Sequence, residues 1–112
     1  MDKEIQSLVK LSNQIGKNPA FVQGGGGNTS IKINPDLMAI KASGFTLKEM
    51  TLTSGFTFVD LKAISKYLED PDLTDDAFNK SINSYIRKIE GFDSKRPSIE
   101  TAFHAVFDKV VI

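Results

Sequence analysis

Three stretches of the sequence carry residue types that could do chemistry. The first is Gly24 to Ser30, GGGGNTS, which holds half of the chain's eight glycines. Glycine reaches positive φ at no steric cost, so successive backbone amides can turn toward one anion, and Asn28, Thr29 and Ser30 add side-chain donors. It is not a mononucleotide loop, because no Gly-Lys-Ser/Thr follows. It is not a dinucleotide fingerprint either, because the strand-like Ile31 to Ile33 stands where those motifs require a helix. A plain flexible turn is the alternative, but ordering a run of glycines costs much chain entropy, which favours a loop that holds a ligand.

The second stretch is Ser43 with Gly44, where a hydroxyl and an unhindered amide follow an apolar segment. An ordinary strand-to-turn transition accounts for that pair alone. The third is Arg96 to His104, RPSIETAFH. Wound as a helix at about 100° per residue, it sets Glu100 beside Phe107 at the edge of an apolar stripe, with His104 one turn later on nearly the same side. Glu100 either favours the helix N-terminus or faces a metal or a substrate proton. His104 reads as a half-buried polar residue, and one carboxylate with one imidazole is too small a set for zinc.

The elements that must position these groups follow from periodicity and punctuation. Ile5, Leu8, Val9, Leu11 and Ile15 predict a helix over Lys3 to Ile15, with Gly16 as a left-handed cap. Ile31 to Ile33 and Leu37 to Ala42 predict a hairpin around Asn34 to Asp36, which delivers Ser43 and Gly44 beyond its second strand. Phe45 to Met50 reads as a short helical turn, Phe56 to Asp60 as a third strand, and Leu61 to Leu68 as a helix closed off by Asp70 and Pro71. Thr74 is placed to start a helix whose stripe is Ala77, Phe78, Ile82, Tyr85, Ile86 and Ile89, ending at Gly91. Ser98 is placed to cap a last helix, before a buried strand at Val110 to Ile112. Tyr67, Tyr85 and the phenylalanines read as packing residues. Lys62, Lys66, Lys80, Arg87 and Lys88 read as solvated faces.

Composition narrows the function. Basic and acidic side chains balance at 14 each, which leaves no positive excess for a nucleic-acid backbone. The chain has no cysteine, so thiolate nucleophiles, disulfides and Cys-ligated zinc are excluded, in keeping with a cytoplasmic setting. No apolar run is long enough to cross a membrane as a helix.

Taken in order, GGGGNTSIKI, MAIKASGFTLKEM and RPSIETAFHAVF resemble the N-terminal part of the class II aldolase and adducin-head family. The resemblance spans Met1 to Ile112, read as the N-terminal portion of a single domain. That family contains zinc-dependent sugar-phosphate aldolases, pentulose-phosphate epimerases, dehydratases and the non-enzymatic adducin head. The resemblance implies an α/β fold, a three-layer α/β/α sandwich around a mainly antiparallel sheet, here incomplete at the C-terminus, and a homo-oligomer, a tetramer in the family. It also implies a site for the phosphate of a sugar substrate made by Gly27, Asn28, Ser43, Gly44 and Ser98. Ile99 stands where the family has a second serine, so one hydroxyl contact is missing.

Glu100 matches the family's catalytic glutamate, which approaches the zinc and exchanges the substrate proton. The family's zinc is held by a His-x-His directly after a Val-Val strand and by a further histidine downstream. Here Val110, Val111 and Ile112 close the sequence, and His104 aligns with no ligand. The expectation is a fragment of a longer zinc-dependent lyase that performs retro-aldol cleavage, inactive and weak in zinc binding by itself. The alternatives are an epimerase or dehydratase of the same family, or an adducin-like scaffold.

Overall fold

The computed structural model describes residues 1–17, 29–67, 69, 74, 77, 80–92, 95–97, 110 and 111. Helix α1 spans Asp2–Gly16, with Asp2 and Glu4 in its first turn, where carboxylates favour the positive end of the helix. Its buried face is Ile5, Leu8 and Ser12, one residue per turn of helix.

The strands are β1 Ser30–Asn34, β2 Leu37–Lys41, β3 Phe56–Asp60, β4 Ile86–Arg87 and β5 Val110–Val111. They form a sheet in the order β4-β3-β2-β1-β5, and every neighbouring pair is antiparallel. The β1–β2 hairpin closes as its sequence dictates, with the Asn34 Oδ1 accepting from the Asp36 amide at 2.8 Å around Pro35. Helix α2, Leu61–Tyr67, starts directly after β3, and the Asp60 carboxylate accepts from the Ala63 amide at 3.0 Å as its cap.

Side chains alternate across β2 and β3, and each set meets a different helical layer. Leu37, Ala39, Phe56 and Phe58 pack with Ile5 and Leu8 of α1. Met38, Ile40 and Val59 pack with Leu61 and Ile64 of α2 and with Ile82. All of β2 is buried, as a central strand covered on both faces must be. The result is an α/β fold with helical layers on both sides of an antiparallel sheet. Among the described residues no helix is long and apolar enough to cross a membrane.

The hairpin and the third strand agree with the sequence reading, the 3-10 turn Leu47–Glu49 falls inside the helical turn expected at Phe45 to Met50, and Val110–Val111 is a strand. Phe56, Phe58 and Phe92 meet edge-on or tilted, and Tyr67 faces Tyr85 at 6.0 Å, so these rings are packing residues. The lysines and Arg87 assigned to solvated faces are exposed.

Two readings are corrected. Gly16 is not a left-handed cap: it is the last helical residue, and Lys17 follows it with right-handed geometry at φ −84. Its lack of a side chain serves close contact instead, because a Cβ there would lie 2.6 Å from the Lys48 nitrogen. The expected helix through Ile89 stops early. Thr74 caps as predicted, its hydroxyl accepting from the Ala77 amide at 3.1 Å, and Ala77, Lys80 and Ser81 are helical. The chain then tightens to 3-10 over Ile82–Tyr85 and becomes β4. Hydrogen bonding to the open edge of β3, with Val59 opposite Ile86 and Phe58 opposite Arg87, outcompetes the helical period. The change sends Ile82 to the α2 face of the sheet and Ile89 to the α1 face. The expected helix at Ser98 to Phe107, together with Leu68, Asp70 and Pro71, lies outside the described residues.

Candidate functional site

The C-terminal end of β2 gathers the described flanks of all three chemistry-bearing stretches. The Lys41 amide donates to the Thr29 carbonyl at 3.0 Å, which fixes the exit of the glycine stretch beside β2. The Ala42 amide donates to Gly55, the Ser43 amide donates to the Arg96 carbonyl at 2.8 Å, and Ala42 bridges Pro97 in antiparallel fashion. Arg96 and Pro97 therefore run beside the Ser43 turn. Strand β5 runs from Val110, opposite Ile31, to Val111, opposite Ser30, so it too points toward this end.

Ser43 and Gly44 are the middle residues of a tight turn. The Phe45 amide donates to the Ala42 carbonyl at 3.4 Å, and Gly44 has φ +87. Positive φ at the third position is the mark of a type II turn, and glycine occupies it without strain. Both residues are exposed, and a Cβ on Gly44 would meet nothing within 4 Å. Among the described residues neither the Gly44 amide nor the Ser43 hydroxyl is engaged. The pair is two outward donors on a rigid base, an arrangement suited to an oxyanion.

The donors expected in the glycine stretch divide differently from the sequence reading. Thr29 is fully buried, and its hydroxyl shares a 2.6 Å hydrogen bond with Ser12 of α1, so it anchors the stretch and is not available to a ligand. Ser30 is buried within β1. Gly27, Asn28, Ser98, Glu100 and His104 lie outside the described residues. The structure therefore positions the expected partners Ser43 and Gly44 themselves and, for the rest, only the residues that adjoin them.

Lys41 escaped the sequence reading. It is 6% exposed, and its ammonium donates to the carbonyls of Ala42 at 3.2 Å and Phe45 at 2.5 Å, directly under the turn. The available signal was strand alternation, which puts Lys41 on the same covered face as Leu37 and Ala39. Just beyond the turn, the Thr46 amide and hydroxyl both donate to the Glu49 carboxylate, at 2.9 and 2.6 Å. Those hydrogen bonds, the side-chain one foremost, hold the Glu49 carboxyl below its ordinary range.

The described groups at this end are amides, a hydroxyl, Lys41 and the exposed Arg96, which attract anions, with the Glu49 carboxylate just beyond the turn as an opposing charge. Among the described residues no cluster of His, Cys, Asp or Glu could hold a metal ion. The described donors thus suit an anion, and the described residues offer no ligand cluster to a divalent metal.

Comparison with known proteins agrees with this architecture. The family model described as Class II Aldolase and Adducin N-terminal domain matches residues 6–109. The N-terminal class II aldolase domain of a conserved protein from Thermoplasma acidophilum superposes with a TM-score of 0.82 at 28% identity, over 98% of this chain and 54% of that one. A Bacillus subtilis (strain 168) protein named uncharacterized oxidoreductase YuxG is 32% identical over 94% of this chain, which corresponds to 16% of the relative. The chain thus spans about half of the solved domain and a much smaller share of the curated relative. With its helical layers packed on both faces of an antiparallel sheet and its family match running almost from end to end, the chain belongs to the class II aldolase and adducin N-terminal domain family.

Proposed function

We propose that this chain supplies the phosphate-anchoring part of a class II aldolase-type lyase, acting in the cytoplasm as a homo-oligomer on a phosphorylated sugar or related hydroxy-carbonyl compound. The observation that supports the reading is the outward-facing Ser43 hydroxyl and Gly44 amide at the strand end where Thr29 and Pro97 are also fixed. Asn28 directly precedes Thr29, and Ser98 directly follows Pro97. In this reading Gly27, Asn28, Ser43, Gly44 and Ser98 hold the phosphate and fix the substrate's orientation, which removes an entropic cost from the reaction. Glu100 carries the proton in retro-aldol cleavage. The zinc that family membership suggests has no ligand cluster among the described residues. The oxidoreductase name belongs to the much longer Bacillus protein.

Titration with inorganic phosphate and with a ketose phosphate, followed by amide NMR, tests the anchor. The expected shifts concentrate at Ser43, Gly44, Gly27 and Asn28 and weaken with added salt. Shifts spread evenly over the surface would leave an adducin-like scaffold as the better reading. An aldol-cleavage assay on this chain and on Glu100→Ala addresses the chemistry. The chain by itself is expected to give no turnover, and turnover lost in the variant would show that all the required groups lie within these residues.

A further inference from the structure

Lys41 ends β2 in register with Phe56, on the sheet face that carries Leu37 and Ala39. A lysine ammonium is rarely buried, because leaving water is costly unless hydrogen bonds replace the hydration. Here two of the replacements are the carbonyls of Ala42 and Phe45, the first and last residues of the turn that presents Ser43 and Gly44. The same turn is closed on itself only by the 3.4 Å bond between the Phe45 amide and the Ala42 carbonyl, which is long for an amide hydrogen bond. The ammonium therefore does more than that bond to tie the ends of the turn together, and it does so from the buried side. With both carbonyls held from the buried side, the Gly44 amide and the Ser43 hydroxyl lie on the exposed residues between them, while the Ser43 amide is taken by the Arg96 carbonyl.

We propose that Lys41 is a positioning residue for anion binding: its buried ammonium locks the Ala42–Phe45 turn with the Gly44 amide and Ser43 hydroxyl outward, and sets a fixed positive charge beneath the bound phosphate. The inference rests on the phosphate reading of this turn. It adds a buried charge to the neutral donors Gly27, Asn28, Ser43, Gly44 and Ser98, in a setting where the exposed Arg96 adds to it and the Glu49 carboxylate beyond the turn opposes it. Burial lengthens the reach of that charge, because the field of an ammonium under a turn is screened less than that of a solvated surface lysine.

The test follows inorganic phosphate binding at the Gly44 amide by NMR in the parent chain and in Lys41→Met, Lys41→Gln and Lys41→Arg. Methionine preserves the length of the side chain and is expected to weaken binding about tenfold, while arginine keeps the affinity within about threefold. Glutamine retains donors without charge and should resemble methionine. Equal affinity in Lys41→Met, with the amide pattern of β2 and β3 unchanged, would overturn the inference, as would an equal loss in all three variants, which marks a purely structural role. Should the neutral variants fail to fold, the Lys41 side-chain 13Cε signal of the parent chain decides: it must move with phosphate while that of Lys62, exposed on α2, stays. Absence of any phosphate response at Gly44 in the parent would instead sink the phosphate reading itself, and this inference with it.

Discussion

The 3-10 turn Leu47–Glu49 and the turn at Ser43–Gly44 lie only a few residues apart in the chain, yet their polar groups are spent in opposite ways. At the first, the Asn13 side-chain amide of α1 donates to the carbonyls of Leu47, Lys48 and Met50. Gly16 lets the end of α1 approach so closely that a Cβ would overlap the Lys48 nitrogen and the Leu47 Cβ. The second turn is tied from below by Lys41, while its Gly44 amide and Ser43 hydroxyl have no acceptor among the described residues and its glycine borders open space. A turn whose carbonyls are taken up by another element is part of the scaffold. A turn that is held rigid and still leaves donors over is where a ligand can be held without reorganisation. Glycine therefore serves close contact at position 16 and backbone geometry at position 44.

The largest effect expected from breaking this contrast is at Asn13. Asn13→Ala removes one donor from several partly buried carbonyls and should cost about 2 kcal/mol in urea unfolding. A loss below about 0.5 kcal/mol would place it among ordinary surface changes and deny the turn its role as scaffold.

The glycines give a sharper version of the same test. Gly16→Ala gains about 1 kcal/mol of helix propensity but forces overlap with backbone atoms at about 1–3 kcal/mol, so a net loss of about 1 kcal/mol is expected. Gly44→Ala has space and pays only for its positive φ, also about 1 kcal/mol. The two positions separate with asparagine, which tolerates left-handed geometry. Unfolding curves should show Gly44→Asn milder than Gly44→Ala, and Gly16→Asn harsher than Gly16→Ala. The same order at both sites would erase the distinction.

Smaller still in stability is Ser43→Ala, expected to change unfolding by less than about 0.5 kcal/mol because the hydroxyl is exposed. The same change should weaken phosphate binding about threefold or more, since a donor to a charged oxygen is lost. Unaltered affinity would remove Ser43 from the site.

The smallest effect is electrostatic. The Glu49 carboxyl is held below its ordinary range by Thr46, so its charged form favours the folded state. That contribution is fully present above the ordinary carboxylate range and is lost as pH falls through the lowered value. Urea midpoints of the parent chain and Glu49→Gln should differ slightly near neutrality and converge on acidification. A gap that widens toward acid would reverse the assigned sign.

Elements whose causes are local were legible in the sequence. The hairpin needed only the alternating Ile31 to Ile33 and the apolar run from Leu37 on either side of Asn34-Pro35-Asp36, and α2 needed the stretch from Leu61 before Asp70 and Pro71, while its Asp60 cap emerged only in the structure. The segment after Thr74 was legible only at its start. The apolar period from Ala77 to Ile89 suits a helix, but it carries no information about the free edge of β3 that captures Ile86 and Arg87. For the site, Ser43 and Gly44 entered as candidates because they follow the second strand of the expected hairpin and match a family motif, whereas Thr29 was read as a ligand donor because nothing local reveals Ser12. Gly27, Asn28, Ser98 and Glu100 keep the roles proposed for them through the family likeness and through their neighbours Thr29 and Pro97.

By itself the sequence determined the continuous apolar run that lets β2 be covered on both faces, the turns that separate the strands, and the family motifs in their order. These depend on a residue and its near neighbours in the chain, which the unfolded chain already possesses. Only the tertiary structure decided that Gly16 is a contact and not a cap, that Thr29 is spent on α1, and that Lys41 lies under the turn with its ammonium on Ala42 and Phe45. Each of these turns on which partner from a distant part of the chain arrives to take a hydrogen bond or exclude water. Whether a polar group is consumed or left over for a ligand is set by that packing, because burial and hydrogen-bond satisfaction belong to the assembled core and not to any segment of it.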